Sequence, residues 1–274
     1  MDNLLRALRA TMDIPKPFGV IHIITLVGVM VLTALLCIFC RNANKKTFRA
    51  ILLSIWGVMI VIEILRNIYN AYSITESGEI VWGYGVEILP LQLCDAPLYL
   101  LPVIALLKDG KLRDALCAFT YTYVLLGGIV TLIVVSSIAT ERVFLNVQTL
   151  IHHSLQIVSS IYIAVHQRKR ITIRHFLYGA MVFAGAVTFV TLFNVVMHAI
   201  HPDQYINMYF ISPYFKRESP VFNDAWMKIT GIWQILFYVG GVSAFAFILF
   251  MILYGVIRLT ARLGERKSPN PVRA

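Results

Sequence analysis

Seven apolar runs, at about 18–40, 48–69, 88–107, 112–135, 147–165, 173–200 and 229–257, restrict the chain to one kind of structure. Each has roughly the length needed to cross a hydrocarbon layer as a helix. In that layer the backbone must satisfy its own hydrogen bonds, so runs of this length become helices in a bundle. Only 14% of the residues are charged and 58% are hydrophobic, whereas a soluble domain carries about 25% charged residues. The expected fold class is all-α: a polytopic, multi-pass cell-membrane protein built as a seven-transmembrane-helix bundle. No internal repeat is visible.

The connections between the runs are unequally basic. Arg41, Lys45, Lys46 and Arg49 lie in the first; Lys108, Lys111 and Arg113 in the third; Arg168, Lys169, Arg170 and Arg174 in the fifth. Arg258, Arg262, Arg266, Lys267 and Arg273 lie in the tail. Together they hold sixteen of the 24 Lys and Arg residues. The positive-inside rule then places the N-terminus outside and the C-terminus in the cytoplasm. The same asymmetry explains the basic balance without nucleic acid. Residues 1–17, with Leu4, Leu5, Leu8, Arg6 and Arg9 at helical spacing before Pro15, read as an interfacial amphipathic segment. No cleavable signal peptide is evident. Residues 18–259 read as one seven-helix domain and 260–274 as a basic cytoplasmic tail.

This topology gathers polar side chains in the outer half of the bundle. The stretch 87–97 sets Gln92, Cys94 and Asp95 between Pro90 and Pro97. An ionisable group at that depth costs about 2.5–3.5 kcal/mol on insertion scales, so it calls for a role. In a helix Pro97 would also leave the Leu93 carbonyl without its partner. Cys94 and His153 each lie six residues into an outward-starting run, about 9 Å down at 1.5 Å per residue. Glu63 and Arg66 end the second run, Asn194 and His198 end the sixth, and Gln234 begins the seventh. The connection 201–228, rich in aromatic residues, lies on the same side and reads as a lid.

Several chemistries fit these residues. Cys94 with His152 or His153 can form a nucleophile–base pair, because an imidazole beside a thiol promotes the thiolate. Gln148, His152 and Gln156 form a stripe along one helix face, with His153 at its edge. Asp95 can orient a histidine or pair with Arg66; Glu63 and Arg66, three apart, can neutralise each other. Zinc held by His152, His153, His198, Asp95 and Glu63 would make an intramembrane lipid hydrolase, though no metal-binding signature is present. The structural alternatives are a small core thiol at Cys94 and hydrogen-bonding core histidines. Cys37, Cys40 and Cys117 read as small apolar filler. The seventh run has no lysine for a retinal Schiff base, and there is no Walker loop, dinucleotide fingerprint or Gly-x-Ser-x-Gly elbow.

The motif Leu89, Pro90, Leu91, Gln92, Leu93, Cys94, the His152-His153-Ser154 segment, Asn194 and the stretch 207–213 before Trp226 resemble the YwaF-like family of integral membrane proteins. The likeness runs over most of the chain in order and span number. Eukaryotic relatives include a cysteine-dependent acyltransferase that remodels ether phospholipids. The resemblance implies acyl transfer between phospholipids, or onto a lysophospholipid, through a thioester on Cys94 and without a cofactor or metal. Family members tend to carry histidine followed by a small residue in the fifth run, which favours His153 as the base. They often carry histidine where this chain has Gln92, which cannot shuttle a proton. Gln92, Asn194 or a backbone N–H is then an oxyanion donor, with Gln148, His198, Glu63 and Arg66 as further substrate-side residues. The rival reading is a transporter or small-molecule receptor that uses the same cluster for binding. The oligomeric state is not legible.

Overall fold

The computed structural model describes residues 2–83, 85, 89–135, 138–215 and 232–266, with side chains through residue 260. Each apolar run contains a helix. After a short α1 (Asp2–Leu8) come α2 (Val20–Phe39) and α3 (Lys45–Asn70), then a hairpin of β1 (Tyr72–Ile74) and β2 (Ile80–Trp82). A 3-10 turn at Leu93–Asp95 leads into α4 (Ala96–Leu106). Next are α5 (Lys111–Phe119), a π turn at Thr120–Val124, and α6 (Leu125–Ile133), which together form one continuous rod. α7 (Val143–His166), α8 (Arg174–Ile200) and α9 (Ile232–Arg266) follow.

Five of these elements are long and apolar enough to cross a membrane: α2, α3, the α5–α6 rod, α8 and α9. Their outer faces leave Val20, Phe39, Met181 and Leu192 largely exposed, while Gln156, Ser159, Ser160 and Asn194 are fully buried. Apolar outside with polar inside is the arrangement that hydrocarbon surroundings favour. The chain is therefore a multi-pass membrane protein. α7, with 24 residues, would span about 36 Å. It buries so many polar groups that it is a core helix rather than a lipid-facing one. α2, α3, α6 and parts of α5 pack around it.

The third run departs from expectation. Its helix begins only at Leu93–Asp95, because Gln92 is extended (φ −79, ψ 161). Pro97 falls in the first turn of α4, where a missing N–H costs nothing. The Leu93 carbonyl is not orphaned either, since it accepts from the Ala96 N–H. The proline that does interrupt a bond is Pro102. It frees the Leu98 carbonyl, and the Trp56 indole of α3 donates to that oxygen at 2.9 Å.

Close approaches fix the rest. A Cβ on Gly128 would meet Ile157 Cγ1 at 2.9 Å and the His153 carbonyl at 3.3 Å, so glycine lets α6 lie on α7. Gly179 does the same for α8 against Thr122 and Ala118. The N-terminal segment is tied to protein. The Arg9 guanidinium stacks over Tyr69 at 3.9 Å, Tyr72 donates to the Leu5 carbonyl at 2.5 Å, and Thr11 bridges Arg142.

Candidate functional site

The site grows from the turn that starts α4. Asp95 accepts from the Gln92 N–H at 2.9 Å, which closes the turn and fixes Cys94 within it. The Cys94 thiol lies 3.9 Å from Asp95 Oδ1. The N-terminal end of α4 favours negative charge there.

α7 faces this turn with its polar stripe, and Gln148, His152 and Gln156 are all buried. His152 Nε2 lies 2.9 Å from the Cys94 carbonyl oxygen. A carbonyl only accepts, so Nε2 carries hydrogen, and in a neutral ring the lone pair is on Nδ1. That Nδ1 is buried and has no hydrogen-bond partner among the described residues. His153 is placed differently. Its Nδ1 lies 2.8 Å from Gln156 Oε1, and the Gln156 amide donates to the Val124 carbonyl in the π turn at 2.6 Å. A π turn exposes such carbonyls. Thus His152 addresses the Cys94 turn and His153 addresses the α5–α6 rod.

Glu63 and Arg66 pair as their spacing suggests. Arg66 donates twice to Glu63 Oε1, at 2.7 and 3.0 Å, and Asn67 adds a third bond at 3.0 Å. Glu63 Oε2 is buried without a partner among the described residues. Asp95 and Cys94 lie near the Glu63–Arg66 pair, and His152 lies near Glu63.

Gln92 and Asn194 do something sequence reasoning missed. Asn194 grips Met208 from both sides, accepting from its N–H at 2.9 Å and donating to its carbonyl at 3.0 Å. Gln92 accepts from the Tyr209 N–H at 2.8 Å and donates to the Asn207 carbonyl at 3.3 Å. The segment 206–212 is thereby drawn into the bundle: Ile206, Met208, Ile211 and Ser212 are buried. Tyr209 and Phe210 take positive φ, 56° each. The expected lid thus begins as an inserted plug. Its continuation at 216–228, with Phe222 and Trp226, lies outside the described residues, as do Glu87 and Ile88. The clue in the sequence was the amide pair Gln92 and Asn194, whose four hydrogen-bonding groups suit a backbone strand.

His198 stands apart from the turn, stacked on Tyr214 at 3.9 Å between ring centroids. Gln148 accepts from the Thr149 hydroxyl at 3.3 Å, and Gln234 is buried. Among the described residues no three His, Cys, Asp or Glu side chains are grouped to hold a metal ion.

Two mainly apolar grooves, each about 360 Å³, flank the Cys94 turn. One runs past Glu63, Asn67, Trp82 and Leu98. The other runs past Gln92, Ala96, Phe189 and Tyr209. Tyr99 borders both, and its hydroxyl donates to the Pro90 carbonyl at 2.8 Å.

Fold and site together define a multi-pass helical membrane protein in which a buried histidine contacts the backbone of a half-buried cysteine. The sequence profile of the TMEM164 family matches residues 17–254, and the chain belongs to that family. This bears out the resemblance carried by the 89–94 motif and the His152–His153 segment. No curated protein and no solved structure matches the chain.

Proposed function

We propose that this chain is an acyltransferase that moves a fatty acyl chain between phospholipids, or onto a lysophospholipid, through a thioester on Cys94. The observation that carries the reading is His152. It is fixed against the Cys94 backbone by Nε2, and its buried Nδ1 is left free to handle a proton. His152 takes the thiol proton, and the sulfur attacks the ester carbonyl of the donor. The C–O bond breaks, and the proton passes from the imidazole to the departing alkoxide, releasing a lysophospholipid. The acceptor hydroxyl then gives its proton to the same imidazole and attacks the thioester, and the sulfur leaves and is reprotonated.

The two grooves beside the turn suit the chains of a lipid, and Arg66 suits its phosphate. His153 supports the ring of its neighbour from the far side of the stripe. Gln92 and Asn194, occupied by the 207–209 backbone, serve the site by holding that segment rather than as oxyanion donors. N–H groups at the start of α4 take the oxyanion role in this reading. Seven membrane crossings, with the Cys94 end outward, complete it: α7 crosses inside the bundle, and α4 crosses together with the residues leading into it.

The test is direct. Purified protein incubated with a phospholipid labelled in its acyl chain should acquire label that neutral hydroxylamine removes. Cys94→Ser should acquire none and exchange no chains. If Cys94→Ser exchanges chains at the parent rate, the covalent route is wrong. The transporter or receptor reading then moves ahead.

A further inference from the structure

The opposite end of the bundle carries a further concavity, about 620 Å³, that the acyl-transfer chemistry does not use. The short helix from Leu93 to Leu106 separates it from Cys94 by roughly 20 Å at 1.5 Å per residue. Three connections converge on it, and its wall holds eight Lys and Arg side chains and one carboxylate, Asp109. Asp109 is shared by Lys45 at 2.8 Å, Arg113 at 2.9 Å and Arg170 at 4.0 Å. Arg49 and Arg168 turn to backbone carbonyls, those of Ala105 and Arg41. Arg41, Lys108 and Lys169 have no ion-pair partner among the described residues.

Eight cationic side chains around one concavity that holds a single carboxylate focus a positive potential there, which draws an anion.

We propose that this cavity binds a phosphoryl group, and that the group is carried by the headgroup of an anionic phospholipid. Guanidinium and ammonium groups supply the charge and the hydrogen-bond donors. Phe48 and Leu107 give the wall an apolar side that a glycerol backbone would meet. Basic pockets between helix ends are a recurrent way to hold such headgroups.

Native mass spectrometry of the whole protein, released from neutral lipid after addition of short-chain phosphatidic acid, reads this out. Two variants of equal charge discriminate the site from diffuse attraction. The triple variant Arg41→Gln, Lys108→Gln, Lys169→Gln should weaken retention on the order of 100-fold. The triple variant Lys46→Gln, Lys111→Gln, Arg174→Gln removes three exposed charges from the same end outside the cavity, and should change it less than about threefold. Inorganic pyrophosphate provides the other arm. If it competes with the lipid, the phosphoryl group alone is recognised; if it does not, the lipid body contributes. Equal loss in both triple variants, or no loss in either, overturns the proposal.

Discussion

His152 and Cys94 meet through a ring nitrogen and a backbone carbonyl, 2.9 Å apart, rather than through the thiol itself. The contact fixes which imidazole nitrogen is free, and it makes the two adjacent histidines unequal. His152→Ala should lower acyl transfer by 10²–10⁴-fold, the usual loss for a general base. His153→Ala removes the 2.8 Å contact to Gln156. It should cost about 1–3 kcal/mol of stability and affect turnover far less. Single-turnover labelling beside thermal melts separates the two; equal kinetic losses would refute the assignment.

Gln92→Ala and Asn194→Ala should act chiefly on stability. Each leaves buried backbone groups of residues 207–209 without partners, at about 1–3 kcal/mol each. Limited proteolysis near residue 207 should accelerate in both. A tenfold or larger fall in turnover with an unchanged melting temperature would instead return these amides to the oxyanion role.

Gly128→Ala should be destabilising by about 1–3 kcal/mol, since its methyl group would press on Ile157 Cγ1 at 2.9 Å. Gly57→Ala, in α3, meets nothing within 4 Å and should be neutral or mildly stabilising. Melting curves of the two in the same detergent give the comparison.

Orientation is testable at exposed sites. In a background without Cys37, Cys40, Cys94 and Cys117, an impermeant thiol reagent should label Glu141→Cys on intact cells. It should label Lys169→Cys only after permeabilisation. The reverse pattern would invert the proposed topology.

Asp109 ties the starts of α3 and α5 to the 166–170 connection, and the Lys45 hydrogen bond above all holds its carboxyl below the ordinary value of 3.8. A depressed carboxyl contributes stability that is full above its unfolded value and fades as pH falls through the folded one. The parent protein should therefore hold this contribution from neutral pH down to about 4 and lose it below that. Asp109→Asn should lack it throughout. Melting temperature against pH for the pair checks the sign.

Much of the bundle could be read from runs and charges, because a membrane forces apolar length into helices. The approach of the fifth run's histidines to Cys94 was legible from their matching positions along their runs, and Glu63 with Arg66 as a pair. The facing of His152 and His153 was not, since spacing puts His152 on the stripe and His153 about 100° round at its edge without saying which of the two meets Cys94. Pro97 misled for a local reason: whether a proline breaks a bond depends on which turn it occupies, and Gln92 delays the helix until Pro97 falls in the first. The inserted 206–212 segment was hidden because its polar backbone is satisfied by side chains distant in sequence.

The π turn at Thr120–Val124 has a consequence for how this chain tolerates length changes. Its wider winding takes up one surplus residue within a single turn, so α6 leaves it in the phase that an α-helix one residue shorter would give. Removing a single residue from 120–124 would restore an unbroken α-helix with Gly127 and Gly128 still turned to α7. The rod therefore holds one residue of slack: the α6–α7 seam would survive such a deletion, and the bond from Gln156 to the Val124 carbonyl is what it would put at stake.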